Sequence, residues 1–174
     1  MNKNTIIILG FPGTGKTRFA QTTSLDVSDS DSSMFSWSDD TKTTRHPDWP
    51  ANYKAHIAGL IGAKDVIFVS THAEVREMLR SDKELERRCF TVLPEGDRYS
   101  EFIANYLARG NNARFIALMQ DKWEDFRSDA FKNGAGCRVL LPRGRYIDDE
   151  LVSALSAAEK KPNAENQALT RERQ

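Results

Sequence analysis

The chain has 174 residues, with Lys plus Arg and Asp plus Glu balanced at 25 each, 39% hydrophobic residues and 29% charged. This length suits one domain with a sheet covered on both faces, and the balanced charge gives no overall attraction to nucleic acid or an anionic membrane, although a local basic groove stays open. Apolar runs such as Ile6–Leu9 and Val66–Val69 are strand-sized and far short of a membrane span, and the N-terminus lacks a secretory pattern, so a cytoplasmic protein with no membrane partner is expected.

The first strand is expected at 4–9. It runs directly into G-F-P-G-T-G-K-T, Gly10–Thr17, and a helical segment follows from Arg18 to Gln21. A second strand is expected at 25–28. The stretch from Ser28 to Arg45 is rich in Ser, Thr and Asp and has little periodicity, which reads as a long functional loop. Asp48-Trp49-Pro50 reads as a helix start with proline in the first turn; Tyr53, Ile57, Leu60 and Ile61 form its apolar face and Gly62 stops it. A third strand at 65–70 leads to a helix with Val75, Met78 and Leu79 on one face, and a fourth strand is expected at 89–93. Tyr99, Phe102, Ile103, Tyr106 and Leu107 keep strict helical spacing before Gly110, and Ile116, Met119, Trp123 and Phe126 continue it. The fifth strand is expected at 137–141, followed by a last helix from Tyr146 to about Ala158 and a polar, disordered tail at 159–174. Cys89 and Cys137 each begin an expected buried strand and read as inert core thiols. Strands alternating with helices imply a doubly covered parallel sheet, an α/β fold in a single domain over residues 1–158.

Gly10, Gly15, Lys16 and Thr17 satisfy G-x-x-x-x-G-K-[ST], with Gly13 between them. Glycines let backbone N–H groups turn inward around phosphates, and a helix beginning at Gly15-Lys16 adds its positive end. Residues Gly10, Phe11, Pro12, Gly13, Thr14, Gly15, Lys16 and Thr17 are therefore expected to hold ATP, with Lys16 on the β- and γ-phosphates and the Thr17 hydroxyl on Mg²⁺. A switch GTPase is disfavoured because N-K-x-D and D-x-x-G are missing, and a motor ATPase because the third strand ends Val69-Ser70-Thr71-His72 without an acid. A small kinase remains. Asp29 and Asp31, at the end of the second strand, would share a face if the strand continued. Either carboxylate can hold Mg²⁺ through water while the other orients an acceptor hydroxyl. Arg98, Arg109 and Arg114 flank the helix 99–107, and Arg98 and Arg109 are expected to close over the transferred phosphate from a lid at about 95–115. Arg143 and Arg145 are expected either to stack on the nucleotide base or to cap the last helix. His46, His56 and His72 show no metal-site spacing; His72 alone follows a strand into the expected cleft.

With Gly10–Thr17, Asp29-Ser30-Asp31-Ser32-Ser33 and R-Y-x-x-F-x-x-x-Y-x-x-R-G-N from Arg98 to Asn111, the chain resembles nucleoside-monophosphate-kinase-like P-loop kinases. Among these it is similar to small kinases common in bacteriophage genomes, which share D-S-x-x-F and W-P-x-N-Y-x-x-H-I, here Trp49–Ile57. The resemblance covers roughly residues 4–150. It implies a five-stranded parallel sheet, here expected in the order 2-3-1-4-5, with a closing lid and ATP and Mg²⁺ as cofactors, and acceptors that include deoxynucleotides and 5-hydroxymethylpyrimidine in DNA.

Between the second and third strands the one arginine, Arg45, stands with Lys42 and Lys54, against the two carboxylates Asp29 and Asp31 at the acceptor side of the loop. A phosphate acceptor calls for arginine clamps and a hydroxyl acceptor for a carboxylate, so the residues lean toward a hydroxyl acceptor, free or in DNA, taken up by an acceptor segment at about 28–62. A nucleoside monophosphate kinase and an acceptor-independent regulatory ATPase are the alternatives.

Overall fold

The computed structural model describes residues 4–151; the tail at 159–174 and the last helix beyond 151 lie outside the described residues. β1 (Ile6–Gly10), β2 (Val27–Asp29), β3 (Val66–Val69), β4 (Cys89–Pro94) and β5 (Cys137–Leu141) form one sheet in the order β2-β3-β1-β4-β5. Every pairing is parallel. This is the α/β sheet and strand order expected from the sequence. β1 and β3 are buried along their whole length, which is why they read as unbroken apolar runs rather than as alternating strands.

Side chains alternate across the sheet and divide the core into two faces. On one face Ile7, Leu9, Ile67 and Val69 pack against Tyr53 and Ile57 of α3 (Ala51–Leu60) and Val75, Met78 and Leu79 of α4 (Ala73–Arg80). On the other, Ile6, Ile8, Val66 and Phe68 meet Phe19 of α1 (Lys16–Thr22), together with Ile147 and Leu151. β1 thus leads to a helix on one face and β3 to a helix on the opposite face. The chain leaves these two neighbouring strands in opposite directions, and a crevice opens beyond their C-terminal ends. A third cluster closes one side of it: Phe102, Ile103 and Tyr106 of α6 (Tyr99–Ala108) with Met119 and Trp123 of α7 (Ala113–Asn133), packed on Phe11 and Leu93.

Several expectations are revised. The stretch Ser28–Arg45 is no open loop: it holds a short helix, α2 (Ser33–Ser36), and an antiparallel bridge between Trp37 and Arg45. Its Ser/Thr/Asp content satisfies itself, since Thr41, Thr43 and Thr44 all donate to the Asp39 carboxylate and hold its pKa far below the ordinary range. Pro50 caps α3 rather than entering its first turn. Residues 147–151 are helical, so the last helix begins one residue later than expected.

The two cysteines also part ways. Cys89 is buried at the start of a central strand, where burial pushes its thiol up to about 12. Cys137 is exposed, because β5 is an edge strand whose first residues lack a covering helix. Titration of the native protein with a disulfide reagent at pH 8 should therefore modify Cys137 alone, and denaturant should release the second thiol. Two fast-reacting thiols in the native protein would contradict this packing.

Candidate functional site

The glycine loop turns from β1 into α1 through two residues in the left-handed region, Gly13 at φ 85° and Gly15 at φ 97°. A Cβ on Gly13 would lie 2.9 Å from the Tyr106 ring, and one on Gly15 would lie 3.2 Å from Tyr146, so glycine answers both the backbone angle and the close approach. The loop is held from several sides. Tyr106 donates its hydroxyl to the Pro12 carbonyl at 2.7 Å, Phe11 N–H bonds Val92 across β4 at 3.0 Å, and Ile147 N–H bonds the Thr14 carbonyl at 3.0 Å. Thr14 ties its own hydroxyl to the Phe11 carbonyl at 2.7 Å. Lys16 folds back over the turn and donates Nζ to the Gly10 carbonyl at 2.8 Å. Burial lowers its pKa, Asp29 and Asp31 oppose that shift, and the charge of Arg109 adds to it. Thr17, the second residue of α1, is exposed.

β2 ends at Asp29, so Asp29 and Asp31 do not share a strand face as expected. They are nevertheless brought to one place. The chain turns after Ser30, whose carbonyl accepts from Tyr53 at 2.6 Å and whose hydroxyl lies 3.0 Å from His56 Nε2. Asp31 then faces the opening of α2, accepting from Ser33 N–H at 2.9 Å and Ser33 Oγ at 2.8 Å. Asp29 has no hydrogen-bond or ion-pair partner among the described residues.

A cleft of about 610 Å³ spans the ends of β1, β2 and β3, lined by Gly10, Phe11, Pro12, Lys16, Asp29 and Asp31 from the sequence-derived set. It unites an ammonium group, a helix N-terminus and two carboxylates in one crevice, a combination able to bind an anion beside a proton-bearing group. Sequence reasoning missed much of its wall. Ser70, Thr71, His72 and Arg76 come from the β3–α4 connection, and Phe115, Leu118, Met119, Phe126 and Asp129 come from α7. The α7 residues carry a clear helical stripe, but that stripe reads equally well as core. His72 does face the cleft, and burial lowers its pKa.

The arginines divide by burial. Arg98 is no mobile clamp: it is 0% exposed, ion-paired with Glu101, and donates to the carbonyls of Leu141 at 3.2 Å and Arg145 at 2.8 Å. Its guanidinium lies against the rings of Phe102, 4.9 Å away, and Tyr146, 5.3 Å away. The expected lid segment is correspondingly anchored, because the apolar face of α6 is spent on the core. Arg109 sits at the exposed C-terminal end of α6, and its charge reaches Lys16. Arg143 is exposed and bonds the Asp97 carbonyl at 3.1 Å; Arg145 pairs with Glu150 at 3.4 Å, on the first turn of the last helix. Neither lines the cleft.

Among the described residues no helix is long and apolar enough to cross a membrane. Comparison with protein-family models, curated proteins and solved structures returns no match.

Replacing Arg98 by Met should lower unfolding free energy by about 3 kcal/mol, because it strips a buried ion pair and leaves two carbonyls unpaired. Arg109→Ala should stay within about 0.5 kcal/mol of the parent, as an exposed substitution does. Urea unfolding followed by circular dichroism measures both, and equal losses would refute the division of roles.

Proposed function

We propose that the protein is a phosphotransferase of the P-loop kinase type that moves the γ-phosphoryl group of ATP to a nucleotide-type acceptor, leaning to a hydroxyl such as that of a 5-hydroxymethylpyrimidine. The observation that carries this reading is the single cleft that joins the glycine loop and Lys16 to Asp29 and Asp31. The residues suit the cofactor. Two left-handed glycines expose the loop amides at the start of α1, and Asp29 is a free carboxylate beside it. Mg²⁺ is an ion held by one or two protein oxygens plus phosphate and water, and Thr17 with Asp29 or Asp31 would supply those oxygens.

ATP with Mg²⁺ supplies the electrophilic phosphorus when bound. Lys16, released from the Gly10 carbonyl, donates to phosphate oxygens, and the loop N–H groups hold their neighbours. Thr17 and one of the two aspartates would hold the metal, and the other aspartate would orient the acceptor hydroxyl and take its proton. The acceptor oxygen would bond the γ-phosphorus as the bond from that phosphorus to the β–γ bridging oxygen breaks, the electron pair leaving on ADP and the acceptor proton passing to the carboxylate. Arg109, exposed at the end of α6 and within electrostatic reach of Lys16, adds positive charge beside the phosphates.

A transfer screen with γ-labelled ATP against nucleosides, nucleoside monophosphates and hydroxymethylpyrimidine-containing DNA tests the reading. Label should pass to one acceptor class and vanish with Lys16→Ala. Asp29→Asn or Asp31→Asn should cut transfer by about 100-fold, the lower end of a general-base contribution. If neither substitution does so, the hydroxyl-acceptor reading fails.

A further inference from the structure

Two features of the cleft have no part in the transfer step. Arg76, on the second turn of α4, is 3% exposed and lines the cleft. Its Nη2 donates to the Asp129 carboxylate of α7, whereas Nε and Nη1 have no hydrogen-bond partner among the described residues. Idle donors on a buried guanidinium are costly unless a ligand engages them. Asp129 itself is half exposed, so it can yield Arg76 to a stronger anion. The second feature is the facing wall. α7 presents Phe115, Leu118 and Phe126 to the cleft, with Leu118 47% and Phe126 42% exposed, although apolar side chains of this size usually belong in a core.

The segment 28–62 offers much less. Its cleft lining is confined to Asp29, Ser30 and Asp31. Its aromatic rings pack on one another, Phe35 on His56 at 4.5 Å and Trp49 on Tyr53 at 5.6 Å. Arg45 is held between Trp37 and Trp49 and paired with Glu74.

We propose that the acceptor subsite is the wall between α4 and α7, where Arg76 binds an anionic group of the acceptor and the Phe115–Phe126 strip packs against its base, so that the substrate is a nucleotide rather than a nucleoside or free base. This rests on the kinase reading and deepens it. A cleft of about 610 Å³ has the size of small-molecule sites and suits one nucleotide unit beside the donor phosphates. The phosphate can belong to a free mononucleotide or to the end of a DNA strand; the chemistry at Arg76 is the same.

Calorimetric titration without ATP separates the outcomes, using the four 2′-deoxynucleoside 5′-monophosphates, the matching nucleosides and a 5′-phosphorylated tetranucleotide. At least one phosphorylated ligand should bind tenfold or more tightly than its nucleoside. Arg76→Gln should remove about 10- to 100-fold of that affinity, the range of a charge-assisted bond from a buried group, and Phe126→Ala should weaken nucleotide and nucleoside alike. Tighter binding of the tetranucleotide, still dependent on Arg76, supports the subsite with DNA as the source. Asp129→Asn preserves the shape of the ion pair but removes the competing charge, so it should tighten binding several-fold even if Arg76→Gln melts early. Equal affinity for nucleotide and nucleoside, weaker binding by Asp129→Asn, or unchanged affinity in a folded Arg76→Gln protein would overturn the proposal. A nucleotide that binds through Arg76 but accepts no phosphate would instead sink the kinase reading and leave the subsite standing.

Discussion

The glycine loop has its shape because three aromatic rings press on it where a side chain would otherwise be. Phe102 and Tyr106 occupy the space beside Gly13, Tyr146 occupies that beside Gly15, and Arg98 is wedged between Phe102 and Tyr146. Tyr106 adds a hydrogen bond to the Pro12 carbonyl. A turn with two left-handed residues would be one of many conformers in isolation. Here α6 and the start of the last helix hold it in one, so the loop amides are organised before any ligand arrives.

The charge of the cleft follows from that scaffold. Lys16 is buried enough for desolvation to lower its pKa, and it rests on a carbonyl of its own loop with Asp29 and Asp31 in electrostatic range. An ammonium group in this position is stabilised by the two carboxylates but not bound by either. It remains available to an anion. The Arg76–Asp129 pair repeats the pattern on the opposite wall, where a buried cation is only partly neutralised by a half-exposed acid. Both arrangements leave donors facing a crevice instead of committing them to the core.

Much of this was legible in the chain. Unbroken apolar runs located β1 and β3, and the residues Gly10–Thr17 located the loop, because strand burial and left-handed turns leave direct marks on residue choice. Asp29 and Asp31 reach the cleft by another route than a continuing strand: β2 stops at Asp29, and the following turn, fixed by Tyr53 and Ser33, returns Asp31 to the cleft. Arg98 was misread because its partners Leu141 and Arg145 are more than forty positions away, and sequence spacing carries no information about such contacts. The same blindness hid Arg76 and the α7 wall. A helical apolar stripe looks alike whether it meets the core or a cleft, and Cys137 opened its strand as Cys89 did although only one is covered.

The central claim is that this cleft passes a phosphoryl group from donor to acceptor rather than to water. It is tested most directly by counting products from one reaction with γ-labelled ATP and the acceptor that the cleft prefers. The account predicts one ADP for every phosphorylated acceptor, with no label released as free phosphate. ADP formation that proceeds at the same rate without acceptor, with all label recovered as inorganic phosphate, would contradict it.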